Sequence, residues 1–426
     1  MNKFALAASA LLASTAIVQA GGLDRSGQST SAIFADDGAT SLSFGVVMPS
    51  VSGTDALGNS YDVGDTYTQF GFSYTNRIND AFSYAVILDQ PYGANITYGN
   101  SPLTSTLGGT MADLSSTAAT FVGRYEVGGG FSVFGGIGVE TVQADVALNG
   151  IAYRNAIATS AVARTFNAGL PAGATQLSSA TLGAAVAGNA TAQAAIDTAY
   201  GAGTFAALAG GVGTQATNFA TNGGYRFNMQ DDAQPTYLIG GAYEIPDIAL
   251  RLAVTYRFET DHSASTTENM FGLTQAGTVN YVTPRSLNID FQTGIAEDTL
   301  LTASYRWTEF SSVDVVPLLL GSDLVNLDDS ERYTLGVGRR FSDALSGSLT
   351  LIYEPEGDPL VSPLGPTNGM FGVTLGMRYT EGNMNLSGGI NYSWLGDALP
   401  EVGGVAAANF TGNSAVGVGF QAQFTF

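Results

Sequence analysis

The chain has 426 residues, of which 45% are hydrophobic and only 12% charged, about half the charged share of a typical soluble domain. Acidic side chains outnumber basic ones 36 to 15, which argues against a nucleic-acid-binding surface, and zero cysteines exclude disulfides, thiolate metal sites and cysteine nucleophiles. Beyond residue 20 no apolar run approaches the roughly 18 residues of a spanning helix, so an ordinary soluble protein and a helical membrane protein both fit poorly.

Residues 1–20 read as a secretory signal. Lys3 supplies the positive start, Phe4 to Val18 the apolar stretch, and Val18-Gln19-Ala20 the small-residue cleavage pattern. Its removal takes away Lys3, the only lysine, and moves the formal charge from −21 to −22. A secreted chain without cysteine suggests a bacterial envelope. Residues 21–39 are polar, glycine-bearing and too irregular to span. They are expected to fold into a barrel lumen as a plug, the alternative being a disordered tail.

From residue 40 onward the pattern is two-periodic. In 249–258, Leu250, Leu252, Val254, Tyr256 and Phe258 share one face, opposite Arg251, Thr255 and Arg257. In 371–379, Phe371, Val373, Leu375, Met377 and Tyr379 oppose Gly372, Thr374, Gly376 and Arg378. A strand in lipid must satisfy its backbone within a closed barrel, showing apolar residues outward and small or polar ones inward. A one-residue slip would place arginine in lipid, at roughly 2–4 kcal/mol near the midplane. Fourteen such segments are expected, near 40–52, 65–77, 81–98, 112–127, 130–147, 223–245, 247–262, 281–295, 298–312, 329–342, 344–355, 367–381, 382–395 and 412–426. Short turns (76–80, 126–130, 244–247, 296–298, 341–344, 380–383) alternate with longer connections at 53–64, 99–111, 148–222, 263–280, 313–328, 356–366 and 396–411, matching periplasmic turns and external loops. The fold class is therefore an all-β transmembrane barrel occupying 40–426. Tyr74, Tyr92, Tyr98, Tyr125, Tyr256, Trp307, Tyr379 and Trp394 are expected to form interfacial girdles. The last stretch alternates down to Phe426, a terminal aromatic that resembles the signal read by the barrel-assembly machinery.

Three regions carry candidate function. The alanine-rich connection 148–222 has stretches, Gln193–Ala199 and Phe205–Ala209, suited to short helices; the alternative is a low-complexity external loop. In 81–98 the alternation through Leu88 is interrupted by Asp89-Gln90-Pro91-Tyr92-Gly93-Ala94, because proline cannot donate to the ladder and glycine marks a bend. Either the strand kinks there or it ends at Asp89. Arg251, Arg257, Arg306 and Arg378 have inward parity. They are available to pair with an anionic head group, or alternatively to build an internal ladder with carboxylates such as Glu259 and Glu309.

Other signals are weaker. Asp261-His262-Ser263 sets a histidine beside hydroxyl and carboxylate, but strand neighbours point to opposite faces, so no catalytic residue is expected and His262 reads as a rim residue. The acidic pairs Asp36-Asp37, Asp231-Asp232 and Asp328-Asp329 suit divalent cations that bridge lipopolysaccharide or, equally, solvated turns; no metal and no cofactor are expected.

Several stretches resemble the FadL family of outer-membrane transporters for long-chain fatty acids and other hydrophobic compounds. Phe44-Gly45-Val46-Val47-Met48-Pro49-Ser50-Val51-Ser52-Gly53 is similar to the family's first strand entering its first loop. Gly241-Ala242-Tyr243-Glu244 with Leu252-Ala253-Val254-Thr255-Tyr256-Arg257 is similar to its central hairpin. Thr283-Pro284-Arg285-Ser286 leading to Tyr305-Arg306-Trp307-Thr308-Glu309-Phe310 is the most specific stretch. The family's Asn-Pro-Ala motif after the hatch is absent, and Asp36-Asp37-Gly38-Ala39 stands where the sequence before it belongs. The resemblance implies a fourteen-stranded barrel with a short N-terminal hatch and a partly helical third loop, in the outer membrane of a Gram-negative cell. It implies passive uptake of a hydrophobic ligand by external capture, lumenal binding against the hatch, and lateral exit at a kink in the third strand. That gate would fall at Gln90, Pro91, Tyr92 and Gly93, with Leu23 occupying the pocket until ligand displaces it. The expected surroundings are outer-membrane lipid and lipopolysaccharide, around a monomer. The alternative function is a general porin for small solutes.

Overall fold

The computed structural model describes residues 23–426, so the expected signal at 1–20 lies outside the described residues. Fourteen antiparallel strands form one closed barrel. They are β1 (Ala39–Ser50), β2 (Tyr67–Arg77), β3 (Phe82–Asp89 and Gly93–Thr97), β4 (Met111–Gly128), β5 (Phe131–Leu148), β6 (Tyr225–Ile245) and β7 (Leu250–Arg257 and Thr260–Met270). There follow β8 (Leu273–Thr283 and Ser286–Ala296), β9 (Thr299–Thr308), β10 (Ser330–Arg340), β11 (Leu345–Glu354), β12 (Met370–Glu381), β13 (Met384–Leu395) and β14 (Asn413–Thr425). Strands pair with their sequence neighbours, and β14 closes on β1 from Ala39↔Thr425 to Ser50↔Ser414. β3, β7 and β8 each run in two segments, with Pro91 and Pro284 inside two of the interruptions.

The parity expected from the sequence is the parity observed. Leu42, Phe44, Phe70, Leu252, Leu375 and Met377 lie on the outer surface, while Arg251, Thr255, Thr374 and Arg378 are buried inside. Two girdle expectations are corrected. Tyr92 and Tyr98 are buried, and the Tyr98 hydroxyl donates to the Pro363 carbonyl at 2.9 Å. Tyr92 lies within the β3 interruption and Tyr98 just past the strand's second segment.

The long connection expected at 263–280 is instead a hairpin that continues β7 and β8 beyond the barrel, paired from Thr260↔Thr283 to Met270↔Leu273. Its outward residues, Asp261, Ser263, Ser265 and Asn269, are exposed and polar. It stands clear of lipid, which removes the apolar alternation by which a membrane strand is recognised.

The alanine-rich connection forms four helices, α1 (Gly150–Ala168), α2 (Ser179–Val186), α3 (Ala190–Tyr200) and α4 (Thr204–Thr221). Asn149, Ser178 and Asn189 cap the first three by accepting backbone N–H groups. Leu182, Ala185, Ile196, Leu208 and Val212 form the bundle's core. A second apolar cluster joins α1 and α4 (Ile157, Phe219) to the extended strands (Phe227, Met229, Met270, Val279) and to Val315, Leu320 and Leu324 of the 313–328 connection. Among the described residues no helix is long and apolar enough to cross a membrane.

Candidate functional site

Residues 23–38 run inside the barrel, and the wall residues they meet come from many strands. A short turn, Ser31–Phe34, buries Ile33 among Ala85, Ile87, Val122, Phe134, Leu238 and Ala253. Phe34 packs edge-on against Phe134, and the guanidiniums of Arg124 and Arg251 lie over its ring at 4.8 and 4.5 Å. Nearer the start, Asp24 is buried between two arginines: Arg306 donates from Nε at 2.6 Å, and Arg332 approaches at 3.5 Å while also pairing with Glu354. Gln28 accepts from Arg306 at Oε1 and from Arg257 at its carbonyl, and Asn288 donates to the Gly27 carbonyl at 2.9 Å.

The same segment fills a break in the wall. β2 pairs with β3 only from Phe72↔Leu88 to Arg77↔Ser83, so its other end, Tyr67–Gly71, has no ladder to the second half of β3. Across that break, Arg25 donates its N–H to the Pro91 carbonyl at 2.8 Å, and Gly93 donates to the Leu23 carbonyl at 3.0 Å. The Arg25 guanidinium lies 3.7 Å from the centre of the Tyr67 ring and donates to Asn95 at 2.7 Å. A Cβ on Gly93 would stand 2.5 Å from the Arg25 guanidinium carbon, so any larger residue there displaces that side chain. On the other side three residues, Gln90 to Tyr92, face two on β4. Ser116 takes the place of the missing ladder bonds, accepting the Tyr92 N–H at 2.7 Å and donating to its carbonyl at 2.9 Å. The strand kinks and continues; it does not end at Asp89.

A cavity of about 130 Å³ opens at this break. Ser26, Ser29 and Ser31 of the plug face Ser41, Ser43, Gln69 and Gln421 of the wall across it, with Asp89 and Gln90 at the edge. Phe70, Phe72 and Leu88 line it too, and Phe70 belongs to the barrel's outer surface. Gln90 Oε1 accepts the Phe70 N–H at 2.8 Å, a side chain standing where a strand partner would be.

The four arginines singled out by parity all point inward, and the structure brings three of them to the N-terminal segment. Arg251 meets Gln292, Glu244 and Phe34; Arg257 meets Gln28; Arg306 meets Asp24. Arg378 donates to Asn385 at 3.2 Å and has Asp36, at the far end of that segment, as its charge partner. An internal polar network exists, with Asp24, Asp89, Glu244, Asp290 and Glu354 among its carboxylates. Glu259 is exposed, and Glu309 pairs with Arg285. Leu23 is half-buried and touches the break through its backbone. Arg332 shares its inward parity with the others, and alternation with Tyr333 and Leu335 would have found it. Nothing in the sequence marks Asp24 as its partner. His262 is corrected from rim to interior: it is buried, stacks on Tyr281 at 4.8 Å and sits between Asp232 (3.3 Å) and Glu140 (3.8 Å). Asp232 also accepts the Ser263 N–H at 2.9 Å, spanning a stretch where β6 and β7 are not laddered.

A closed barrel with an oily exterior, a lumen occupied by its own N-terminal segment and a wall broken beside that segment defines an outer-membrane transport protein. The profile of the outer membrane protein transport protein family (OMPP1/FadL/TodX) matches residues 7–353, and the chain belongs to that family. Its members are Gram-negative outer-membrane proteins that transport hydrophobic compounds. Among solved structures, the fold is similar to a Pseudomonas aeruginosa FadL homologue (13% identity, TM-score 0.64, covering 93% of this chain and 92% of that one). It is also similar to the Pseudomonas putida toluene transporter TodX (14%, 0.59, 93% and 91%) and the Ralstonia pickettii toluene transporter TbuX (15%, 0.57, 97% and 97%). No curated protein matches the chain by sequence.

Proposed function

We propose that this barrel passively takes up hydrophobic compounds, long-chain fatty acids or smaller hydrocarbons, and delivers them sideways into the membrane. Capture falls to the external apolar cluster of α1, α4, the extended strands and the 313–328 connection. Burying a methylene there is worth about 0.8 kcal/mol, whereas a water-filled pore offers an apolar solute nothing. The lumenal site lies against the N-terminal segment, which acts as the hatch, with Leu23 and the inward arginines around it. The observation that carries the reading is the cavity at the β3 kink, bounded on one side by hatch serines and on the other by the lipid-facing Phe70. Gln90, Pro91, Tyr92 and Gly93 form the gate, and hatch residues must leave it before cargo passes. Phe426, 87% exposed at the chain end, serves recognition by the assembly machinery, and the barrel works as a monomer among lipopolysaccharide.

Vesicles carrying the purified barrel should accumulate labelled toluene or hexadecanoate faster than empty vesicles, with little steady ion conductance. Porin-like conductance without hydrocarbon uptake would overturn the reading in favour of a general porin.

A further inference from the structure

Between β6 and β7 the wall has a second seam. The two strands are laddered from Leu238↔Arg257 to Ile245↔Leu250 and again from Arg226↔Asn269 to Met229↔Thr266, in one register. The facing stretches between, 230–237 and 258–265, carry no ladder. Among the described residues they are joined by one backbone bond, Phe258 N–H to the Tyr237 carbonyl at 3.1 Å, and by the Asp232 carboxylate on the Ser263 N–H at 2.9 Å. Both strands change parity here. Buried residues of β7 are odd-numbered up to Arg257 and even-numbered from Thr260; those of β6 are odd-numbered down to Met229 and even-numbered from Thr236. Each strand therefore carries a bulge, which keeps the register while opening the ladder.

The His262 ring lies inside this seam, with its Nδ1 3.3 Å from Asp232 on β6 and its Nε2 3.8 Å from Glu140 on β5. Because the two carboxylates meet opposite edges of the ring, they cannot share one metal ion with it. Glu140 is 2% exposed, and among the described residues His262 is its only ion-pair partner. Three buried polar atoms of the cluster lack a hydrogen-bond partner: Glu140 Oε1, His262 Nδ1 and the hydroxyl of Tyr281, the β8 residue stacked on the ring. The surrounding charge is mainly acidic. Asp231 and Asp232 come from β6 and Glu140 from β5, while Asp261 of β7 points outward. Arg257, lower on β7, has Asp89 of β3 as its charge partner ahead of Tyr92 and Glu140.

A neutral imidazole has one N–H and so can serve only one of two carboxylates; an imidazolium has two. We infer that His262 is a proton-operated pin, which in its charged form donates to Asp232 and Glu140 together and ties β7 to the β5–β6 pair across the unladdered seam. Loss of the proton leaves one buried carboxylate facing a ring lone pair, and the seam loosens. The pin holds on the acid side and releases on the alkaline side.

Hydrogen exchange of the detergent-purified barrel at about pH 5 and pH 8, between which imidazole ordinarily changes charge, tests this when rates are referred to the intrinsic rate at each pH. Protection of amides 258–265 should fall about tenfold at the higher pH, the fold-change of one charge-assisted hydrogen bond, while the fully laddered β12–β13 pair stays constant. His262→Gln, neutral at both pH values, should show the same protection at each. Glu140→Gln, which keeps the ring and removes one carboxylate, should lose most of the change and provides the test should His262→Gln fail to fold. Equal protection of the wild type at both pH values would overturn the inference, as would a pH dependence that survives either substitution. The measurement uses no cargo, so its outcome is independent of the proposed uptake.

Discussion

Gly93 and Arg25 occupy space that only a glycine leaves free. The guanidinium of Arg25 fills the volume where a Cβ on residue 93 would stand, 2.5 Å away, and from there reaches Tyr67 and Asn95 across the broken wall. The kink in β3 and the seating of the hatch are therefore one arrangement. Gly93→Val should expel Arg25 and loosen residues 23–26 with little change in barrel melting, because the displaced group is the end of a flexible side chain. Hydrogen exchange at 23–26 should rise severalfold, and single-channel conductance should increase.

The anchor of the hatch is Asp24. Removing one member of a buried, hydrogen-bonded charge pair leaves the other uncompensated, a loss of about 3–5 kcal/mol. Asp24→Ala should weaken hatch docking by that order, exposing residues 23–34 to protease while the barrel keeps its resistance to detergent unfolding. Unchanged protection of those residues would show that Ile33 and Phe34 hold the hatch alone.

Asp55 governs the external loops through pH. Burial works against its ionisation, but N–H groups of Thr106 and Asn59 and the Tyr61 hydroxyl outweigh burial and hold the carboxyl well below the usual range. A depressed value means the stabilisation is fully present above the ordinary carboxylate range, near pH 4, and is lost only as pH falls through the lower folded value. The clamp between the 53–64 and 99–110 connections should therefore persist at pH 4 and open in stronger acid. Asp55→Ala should open it at neutral pH, visible as proteolysis at both connections.

The cover on the external apolar cluster has its own latch. Glu268 Oε2 accepts the N–H groups of Leu319 and Leu320 and the Tyr225 hydroxyl, while Arg164 donates to the Leu320 carbonyl at 2.9 Å. Glu268→Ala leaves two buried N–H groups unpaired, at about 1–3 kcal/mol each. Cleavage within 313–328 should accelerate accordingly, and initial capture of hydrophobic probes should change before total uptake does.

The barrel was legible in the sequence because lipid penalises a register slip at every turn of the pleat. Leu375, Met377 and Tyr379 can face only one way while Arg378 lies between them. Where lipid ends, so does the signal: Asp261, Ser263 and Ser265 look like a loop although they form a strand. Parity likewise tells that Arg306 and Arg332 point inward, but it does not reveal that both converge on Asp24, because those pairings join residues 282 and 308 positions apart in the chain. The proline and glycine of the kink were visible as interruptions. Its hydrogen-bonding to Leu23 and Arg25 was not, because the plug segment has no periodicity from which to predict its path.

The proposed exit for cargo lies between β2 and β3. The chain has no cysteine, so the pair Phe70→Cys and Gln90→Cys places the only two thiols on either side of the break. Uptake of labelled toluene into vesicles, measured with the pair cross-linked and again after reduction, tests the claim most directly. Uptake should fall to the empty-vesicle level when the pair is cross-linked and recover on reduction, with the barrel folded in both states. Undiminished uptake through the cross-linked barrel would contradict it.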